Sequence, residues 1–154
     1  MIKKIEVAGL LILVFLDVLS KTLISSMIHY GETITIIKDF FWLTYLRNTG
    51  GAWSIFEGKT GLFLVVAVIG MLAMGYFFIK SDQKNIWLRI ALILMFAGAF
   101  GNFMDRLLYG SVRDFLAFNI FGYMFPVFNV ADMALNIGVA CLIIESFVTG
   151  KKDA

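Results

Sequence analysis

The chain has 154 residues, of which 60% are hydrophobic and only one is proline, and its formal net charge is +2. A soluble domain cannot bury this much apolar surface, so the composition indicates an integral membrane protein. The small positive charge comes mostly from lysines beside apolar runs, which favours lipid headgroups as partners and argues against nucleic acid.

Four apolar runs reach the roughly 20 residues that a helix needs to cross a hydrocarbon core. They cover residues about 7–28, 61–79, 86–108 and 127–148. The first run follows two lysines, as a secretory signal does, but it is too long for a signal core and no small-residue cleavage site follows it. We therefore expect a retained first span and a single all-α membrane domain of four helices over residues 1–154.

Basic residues mark the chain ends and the short segment between the second and third spans. They are Lys3, Lys4, Lys80, Lys84, Arg89, Lys151 and Lys152. The positive-inside rule places these segments, and both termini, in the cytoplasm. The two longer connections, 29–60 and 109–126, are then expected at the outer face of the cell membrane.

The first span carries two charged residues, Asp17 and Lys21. A spacing of four places both on one helix face, with the acid before the base, which is the favourable order for a helical ion pair. A neutralising salt bridge explains both charges by itself, while a role in a polar site is the alternative.

The first outer connection has the pattern of strands. Residues 33–36 alternate threonine and isoleucine, residues 40–45 are rich in β-forming aromatic residues, and Gly50 and Gly51 mark a turn. This pattern predicts a small sheet that lies on the membrane surface.

The third span ends in a polar stripe formed by Gly98, Asn102 and Asp105, with small residues around it. The stripe is expected to face the interior of the bundle, where small residues let a neighbouring helix approach closely. One interpretation makes Asp105 and Arg106 an interfacial ion pair with a snorkelling arginine. The other makes Asn102 and Arg106 donors toward a peptide or a lipid headgroup.

The fourth span opens with a polar face, because Asn129, Asp132 and Asn136 are three and four residues apart. Lipid would expel such a face, so it is expected to line a water-accessible interior or to form a buried network that fixes helix packing. Asp114, in the loop after the third span, is expected at the mouth of that interior. A lone loop aspartate is usually solvated, and only Asp132 makes it a candidate for chemistry.

Two carboxylates close together share a proton, so one acts as base and the other as acid. The base activates water for attack on a peptide carbonyl and the acid protonates the leaving nitrogen. The only histidine, His29, lies at the outer end of the first span, which argues against a serine or zinc mechanism.

Cys141, the single cysteine, is expected to be an apolar filler in the fourth span.

The chain resembles the bacterial lipoprotein signal peptidases (signal peptidase II) over essentially its whole length. Five segments carry the resemblance: Asp17-Val18-Leu19-Ser20-Lys21, Arg47-Asn48-Thr49-Gly50-Gly51-Ala52-Trp53, Gly101-Asn102-Phe103-Met104-Asp105-Arg106, Val112-Arg113-Asp114-Phe115 and Phe128-Asn129-Val130-Ala131-Asp132. Their order and their expected membrane depth make the resemblance specific. The chain departs from the family at two positions. Arg113 stands where the family often has an apolar residue, and Met133 stands where a small residue is more usual. For Arg113 we expect either an effect on the proton of Asp114 or binding of a lipid phosphate.

The resemblance implies an aspartyl endopeptidase that cuts signal peptides from prolipoproteins before a diacylglyceryl-modified cysteine. It implies Asp114 and Asp132 as the catalytic pair and a site for substrate, or for peptide antibiotics such as globomycin. That site would be lined by Asn48, Gly50, Asn102, Arg106, Val112 and Asn129, with Asp17, Lys21 and Asp105 as structural polar residues. It also implies a β-cradle for the first outer connection and no metal or organic cofactor.

Two alternatives belong to other classes. A non-enzymatic scaffold or a small proton- or ion-coupled transporter subunit would use the polar residues for packing or ion passage. Such a protein would tolerate Asp114→Asn and would be damaged more by substitution of Asp17 or Lys21. A peptidase of ordinary signal peptides would cleave substrates that lack the lipid.

Overall fold

Four helices and four strands make up the fold of the computed structural model, which describes residues 2–51, 53 and 55–150 and the side chains up to 148. The elements are α1 Lys4–Met27, β1 Thr33–Ile37, β2 Phe41–Asn48, α2 Thr60–Lys80, α3 Ile86–Tyr109, β3 Val112–Ile120, β4 Tyr123–Met124 and α4 Val130–Gly150. Ala52 of the second motif and the basic residues Lys151 and Lys152 lie outside the described residues.

All four helices are long and apolar enough to cross a membrane. Helix α3 is central, because it packs against each of the other three, whereas α2 has no buried residue and is apolar on every side. A helix that is hydrophobic all round suits contact with lipid. These helices, together with the sheet, confirm the predicted fold class of a four-helix membrane bundle with a small β element.

Glycines let α3 lie directly against its neighbours. A Cβ added to Gly98 would collide with the backbone carbonyl of Ala131 in α4, and one added to Gly101 would collide with the carboxylate of Asp17 in α1. Backbone contact of this kind is how small residues hold helices together in membranes. The close approach predicted for the end of the third span is therefore confirmed.

The four strands form one antiparallel sheet in the order β1-β2-β3-β4. The sheet lies at the end of the bundle where α1 and α3 end and where α2 and α4 begin. Strands β1 and β2 come from the segment whose alternation predicted them. The expectation that Asp114 lies in a loop is wrong, because it is the third residue of β3 and pairs with Leu46 of β2.

Positive φ angles explain the turn between β3 and β4. Phe121 and Gly122 have φ values of 53° and 85°, and they join the paired residues Ile120 and Tyr123. Two consecutive residues with positive φ form the hairpin turn that matches the twist of antiparallel strands. This hairpin pairs β4 with the end of β3.

A partly buried ion pair ties the helices together at the opposite end. Arg89 of α3 donates to both carboxylate oxygens of Glu6 in α1, over 2.6 Å and 2.8 Å. Its other nitrogen donates to the Ser81 hydroxyl and to the Phe78 carbonyl at the end of α2. Arg89 therefore links three helices far from the sheet.

Gly98→Ala should lower the free energy of unfolding by about 1–3 kcal/mol, because the new methyl group forces α3 away from the backbone of α4. The matched control is Gly75→Ala in α2, where an added Cβ meets nothing within 4 Å. There the higher helix propensity of alanine should leave stability equal or slightly greater. Thermal unfolding of both variants in one detergent measures the difference, and equal midpoints would contradict backbone contact at Gly98.

Candidate active site

The structure brings Asp114 and Asp132 together from two different kinds of element. Asp114 is carried by strand β3 and is 3% exposed, and Asp132 is half-buried in the first turn of α4. The two elements meet at the edge of the sheet, where Phe128 just before α4 pairs with Leu116 of β3. This contact holds the start of α4 beside the strand that carries Asp114.

Asn129 joins the two carboxylates. Its side-chain amide donates to Asp114 Oδ1 over 2.6 Å, while its Oδ1 accepts from the backbone N–H of Asp132 over 3.0 Å. The backbone N–H of Asn129 donates in turn to Asp132 Oδ2 over 3.2 Å. Asn129 and Asp132 thus cap the start of α4 reciprocally, in the manner of a capping box. A residue that is 0% exposed therefore fixes both aspartates.

Two further asparagines complete the hydrogen bonding of the carboxylates. Asn102 of α3 donates to Asp132 Oδ1 over 2.7 Å, and Asn48 of β2 donates to Asp114 Oδ2 over 3.1 Å. Every carboxylate oxygen of the pair thus accepts a hydrogen bond from a neutral N–H. Neutral donors orient the carboxylates. They favour the ionised form less strongly than charged donors would, so the pair can still gain or lose a proton.

Strand alternation separates Asp114 from its neighbour Arg113. Asn48 and Asp114 lie diagonally across the β2–β3 pairing on one face, which is why their side chains meet. Arg113 points to the other face, where its guanidinium donates to Asp105 over 2.8 Å and 3.1 Å. The backbone N–H of Arg113 also donates to Asp105, over 2.9 Å. Asp105 therefore anchors the start of β3 next to Asp114.

These contacts correct two expectations. The Asp105–Arg106 ion pair is wrong, because both carboxylate oxygens of Asp105 are taken by Arg113. Binding of a lipid phosphate by Arg113 is also wrong, because this side chain is buried and already satisfied. The chain spacing of eight residues between Asp105 and Arg113 gave no helical signal, since the pairing crosses from α3 to β3.

The ion pair expected between Asp17 and Lys21 is confirmed at 2.8 Å, and its two residues also reach the site. Lys21 donates to Asn102 Oδ1 over 3.1 Å, and Asp17 Oδ1 accepts the backbone N–H of Ala131 in the first turn of α4 over 2.9 Å. The pair therefore does more than neutralise α1. It connects α1 to α3 and to the helix start that carries Asp132.

Arg106 connects α3 to the turn after β2. It donates to the Gly50 carbonyl over 2.6 Å, its guanidinium lies 4.7 Å from the ring centre of Phe63, and Asn48 accepts the Gly50 N–H over 2.9 Å. Among the described residues, the Nε of Arg106 has no hydrogen-bond partner. Val112 is buried behind this turn, opposite Asn48 in the sheet.

The burial of Asp114 controls its protonation. Removal from water, followed by the negative charge of Asp132, raises the pKa of Asp114 to about 7, although the amides of Asn48 and Asn129 act in the opposite direction. Its carboxyl group is therefore poised to hold or release a proton near neutral pH. A group of this kind suits general acid–base chemistry.

A cleft of about 360 Å³ opens beside Asp114. Its wall is formed by Leu46, Arg47, Asn48, Thr49, Trp53, Glu57, Tyr123, Met124, Phe125, Pro126 and Val127. The indole of Trp53 donates to the Tyr123 hydroxyl over 3.1 Å, which joins the segment after β2 to the β3–β4 hairpin. This link between two distant segments has no signal in the sequence.

The polar face predicted for the fourth span enters the site only in part. Asn129 and Asp132 lie in the cluster, whereas Asn136 is exposed and donates to the Asp132 carbonyl in its own helix. In the described part of the chain, no three His, Cys, Asp or Glu residues are grouped so that they could hold a metal ion. The buried chemistry available is that of paired carboxylates, amides and Arg106.

The comparisons with known proteins agree on the family that the chain resembles. The family description "Signal peptidase (SPase) II" matches residues 9–148. A lipoprotein signal peptidase of Staphylococcus aureus is 44% identical over 142 residues, which are 91% of this chain and 87% of the relative. The corresponding protein of Staphylococcus aureus strain JH9 is 45% identical over 131 residues, which are 85% of this chain and 80% of the relative.

Two solved structures described as bacterial membrane enzymes share the fold. One, at 2.3 Å resolution, superposes with a TM-score of 0.91 and 40% identity, covering 97% of this chain and 91% of that one. The other, at 1.9 Å, has a TM-score of 0.82 and 42% identity over 90% of each chain. With four spanning helices, a small sheet and the match over most of its length, the chain belongs to the signal peptidase II family.

Proposed function

We propose that this protein is a membrane aspartyl endopeptidase that removes signal peptides from diacylglyceryl-modified prolipoproteins by cutting before the modified cysteine. The family and the names of its relatives support the substrate class. The observation that carries the aspartyl mechanism is Asn129, which holds Asp114 and Asp132 in one partly enclosed site. A scaffold or transporter role is not favoured for a chain of this peptidase family.

The proposed reaction uses the two carboxylates in opposite protonation states. Asp132 lies in the first turn of α4, where the helix dipole favours a negative charge, so we assign it the role of base. Asp114, with its raised pKa, is assigned the role of acid. The base takes a proton from water, the water oxygen bonds to the scissile carbonyl carbon, and the acid protonates the nitrogen as the carbon–nitrogen bond breaks.

Substrate contacts are proposed for the residues at the cleft side of the pair. Among the described hydrogen bonds, the Arg106 guanidinium uses one of its five N–H groups, on the Gly50 carbonyl, which leaves others to offer to a peptide carbonyl. Asn48 and Gly50 form the turn that Arg106 holds. Asn102 and Asn129 contribute by orienting the carboxylates. Val112 pairs with Asn48 across the sheet and packs beside it. The same cleft is the proposed site for inhibitors of the globomycin type.

The sheet end of the bundle is proposed to face outward, with both termini in the cytoplasm. Lys3, Lys4, Lys80 and Lys84 all lie at the end opposite the sheet, as the positive-inside rule requires. The substrate is an apolar helix with an acylated cysteine, so its cleavage site lies where lipid tails and water are both within reach. The aspartates at the sheet end meet that condition.

Asp114→Asn and Asp132→Asn should each fold and bind substrate while losing turnover by roughly 10² to 10⁴, because asparagine keeps the shape but neither accepts nor gives the proton. Cleavage of a purified diacylglyceryl-modified prolipoprotein in lipid measures this loss. The matched control is Asp39→Asn, an exposed aspartate in the β1–β2 turn, which should keep full activity.

Retained turnover in either site variant would refute the catalytic pair. The same assay with a substrate whose cysteine carries no diacylglyceryl group tests the substrate class. We expect no cleavage of that substrate, and efficient cleavage would identify a peptidase of ordinary signal peptides instead.

The rate should fall as the pH rises through about 7. Below its raised pKa, Asp114 is protonated and can act as the acid; above it, both members of the pair are ionised and no proton is available for the leaving nitrogen. The dependence of kcat on pH, measured with saturating substrate, tests this sign. A rate that keeps rising well above pH 7 would contradict the role assigned to Asp114.

Orientation can be tested with single cysteines in a Cys141→Ser background. Lys38→Cys, exposed in the β1–β2 turn, should react with a membrane-impermeant thiol reagent in intact cells. Lys84→Cys, exposed between α2 and α3, should react only after the membrane is opened. The reverse labelling pattern would overturn the proposed orientation.

A further inference from the structure

We propose that Lys21 is a positioning residue for the catalytic pair, because it fixes the direction of the Asn102 amide and, through it, that of Asn129. In this arrangement the Asn102 side chain donates to Asp132 and the Asn129 side chain donates to Asp114. The inference rests on the proposed function and assigns to the first-span lysine a task beyond neutralising Asp17.

The direction of the Asn102 amide follows from the chemistry of an ammonium group. Lys21 is 0% exposed, and its Nζ lies 3.1 Å from Asn102 Oδ1. An ammonium can only donate hydrogen bonds, so the atom of Asn102 that faces it must be the oxygen. The NH₂ group of Asn102 then faces away from Lys21 and donates to Asp132 over 2.7 Å.

The same constraint passes to Asn129. Asn102 Oδ1 also accepts from the Asn129 NH₂ group over 3.2 Å, and that group donates to Asp114 over 2.6 Å. If Asn102 were turned over, its NH₂ group would face both the ammonium of Lys21 and the NH₂ group of Asn129, and its oxygen would face the carboxylate of Asp132. Lys21 and the ionised Asp132 both oppose this reversed arrangement, and Lys21 does so whether or not Asp132 carries a proton.

The cost of burying Lys21 supports a task beyond packing. Buried ion pairs are often no more stabilising than apolar side chains of the same volume. An apolar pair would hold α1 against α3 and α4, but it would remove the ammonium that fixes the Asn102 oxygen on its side of the amide. Asp17 offsets the charge of Lys21 and at the same time accepts the Ala131 N–H, so the pair also holds the start of α4.

Charges around the catalytic pair are nearly balanced. The elements packed around it carry these charged groups: Asp17 and Lys21 on α1, Asp105 and Arg106 on α3, Arg113 on the other face of β3, and Arg47 and Glu57 in the cleft wall. Asp17 and Lys21 offset each other, as do Asp105 and Arg113, which leaves Arg106 beside the two aspartates and Arg47 and Glu57, of opposite sign, in the cleft wall. The charge of Lys21 lowers the pKa of Asp114 against the larger effect of burial.

Lys21→Met is the first test, since it keeps the length of the side chain and removes its charge and donors. We expect kcat to fall tenfold or more while KM changes by less than about twofold, because donors aimed at reacting groups act mainly on the chemical step. Both limbs of the pH profile should move upward by about one unit, since loss of a nearby cation disfavours the ionised carboxylates.

The matched control is Glu6→Gln, which breaks the other described ion pair of α1, a partly buried one at the far end of the bundle. It should lower the thermal midpoint and leave the pH profile and kcat of the folded enzyme at wild-type values. A structural role for Lys21 would make the two variants behave alike, and that outcome would overturn the inference.

The double variant Asp17→Asn/Lys21→Met keeps the inference testable if Lys21→Met alone does not fold. It buries no unpaired charge, and the asparagine oxygen can still accept the Ala131 N–H. We expect its thermal midpoint to return toward that of the wild type while kcat stays low. A kcat restored to the wild-type value would show that Lys21 only neutralises Asp17.

The wild-type enzyme separates this inference from the function on which it rests. If the wild type and Glu6→Gln both fail to cleave the modified prolipoprotein, the proposed function falls and the inference with it. If both cleave it and the double variant does so equally well, only the role of Lys21 is refuted.

Discussion

A carboxylate buried at the edge of an apolar bundle must be satisfied by donors that the fold itself supplies, and Asn129 is where this structure meets that condition. Its amide binds Asp114 and its oxygen and backbone bind Asp132, so one residue with no exposed surface sets the position of both. Buried polar groups that lack partners cost several kcal/mol in a membrane domain. The rest of the site is arranged so that Asn129 can bridge a strand and a helix.

Two structural features make that bridge possible. Gly98 and Gly101 let α3 lie against the first turn of α4 and against Asp17, which brings the amide of Asn102 within hydrogen-bond distance of Asp132. Four further charges are paired behind this layer, Asp17 with Lys21 and Asp105 with Arg113, while Arg106 stays beside the two aspartates. The described hydrogen bonds to the catalytic pair therefore come from neutral N–H groups, so the pair can gain or lose a proton without breaking an ion pair elsewhere in the bundle.

The sequence predicted those features that depend on local pattern. Hydropathy marked four spans, alternation marked β1, β-forming residues marked β2, and a spacing of four marked the Asp17–Lys21 pair, because each signal lies within one element. Asp114 was expected in a loop and Asp105 beside Arg106, since nothing in the local pattern shows that residues 112–120 pair with β2. The Asn-x-x-Asp of a helix cap was present before α4 and would have placed the helix start at Val130 rather than near residue 127.

Strand register decides whether the two aspartates meet at all. Between the pairs Leu43–Leu116 and Leu46–Asp114, β2 advances three residues while β3 advances two, so the pairing contains a bulge at the buried residues Thr44 and Tyr45. Beyond the bulge, Asp114 shares a face with Asn48, and Arg113 takes the opposite face toward Asp105. Because side chains alternate along a strand, a slip of one residue would exchange these two positions and direct the guanidinium into the site. The bulge, an irregularity common beside active sites, thus places the acid and its structural counter-charge on the correct sides of one strand.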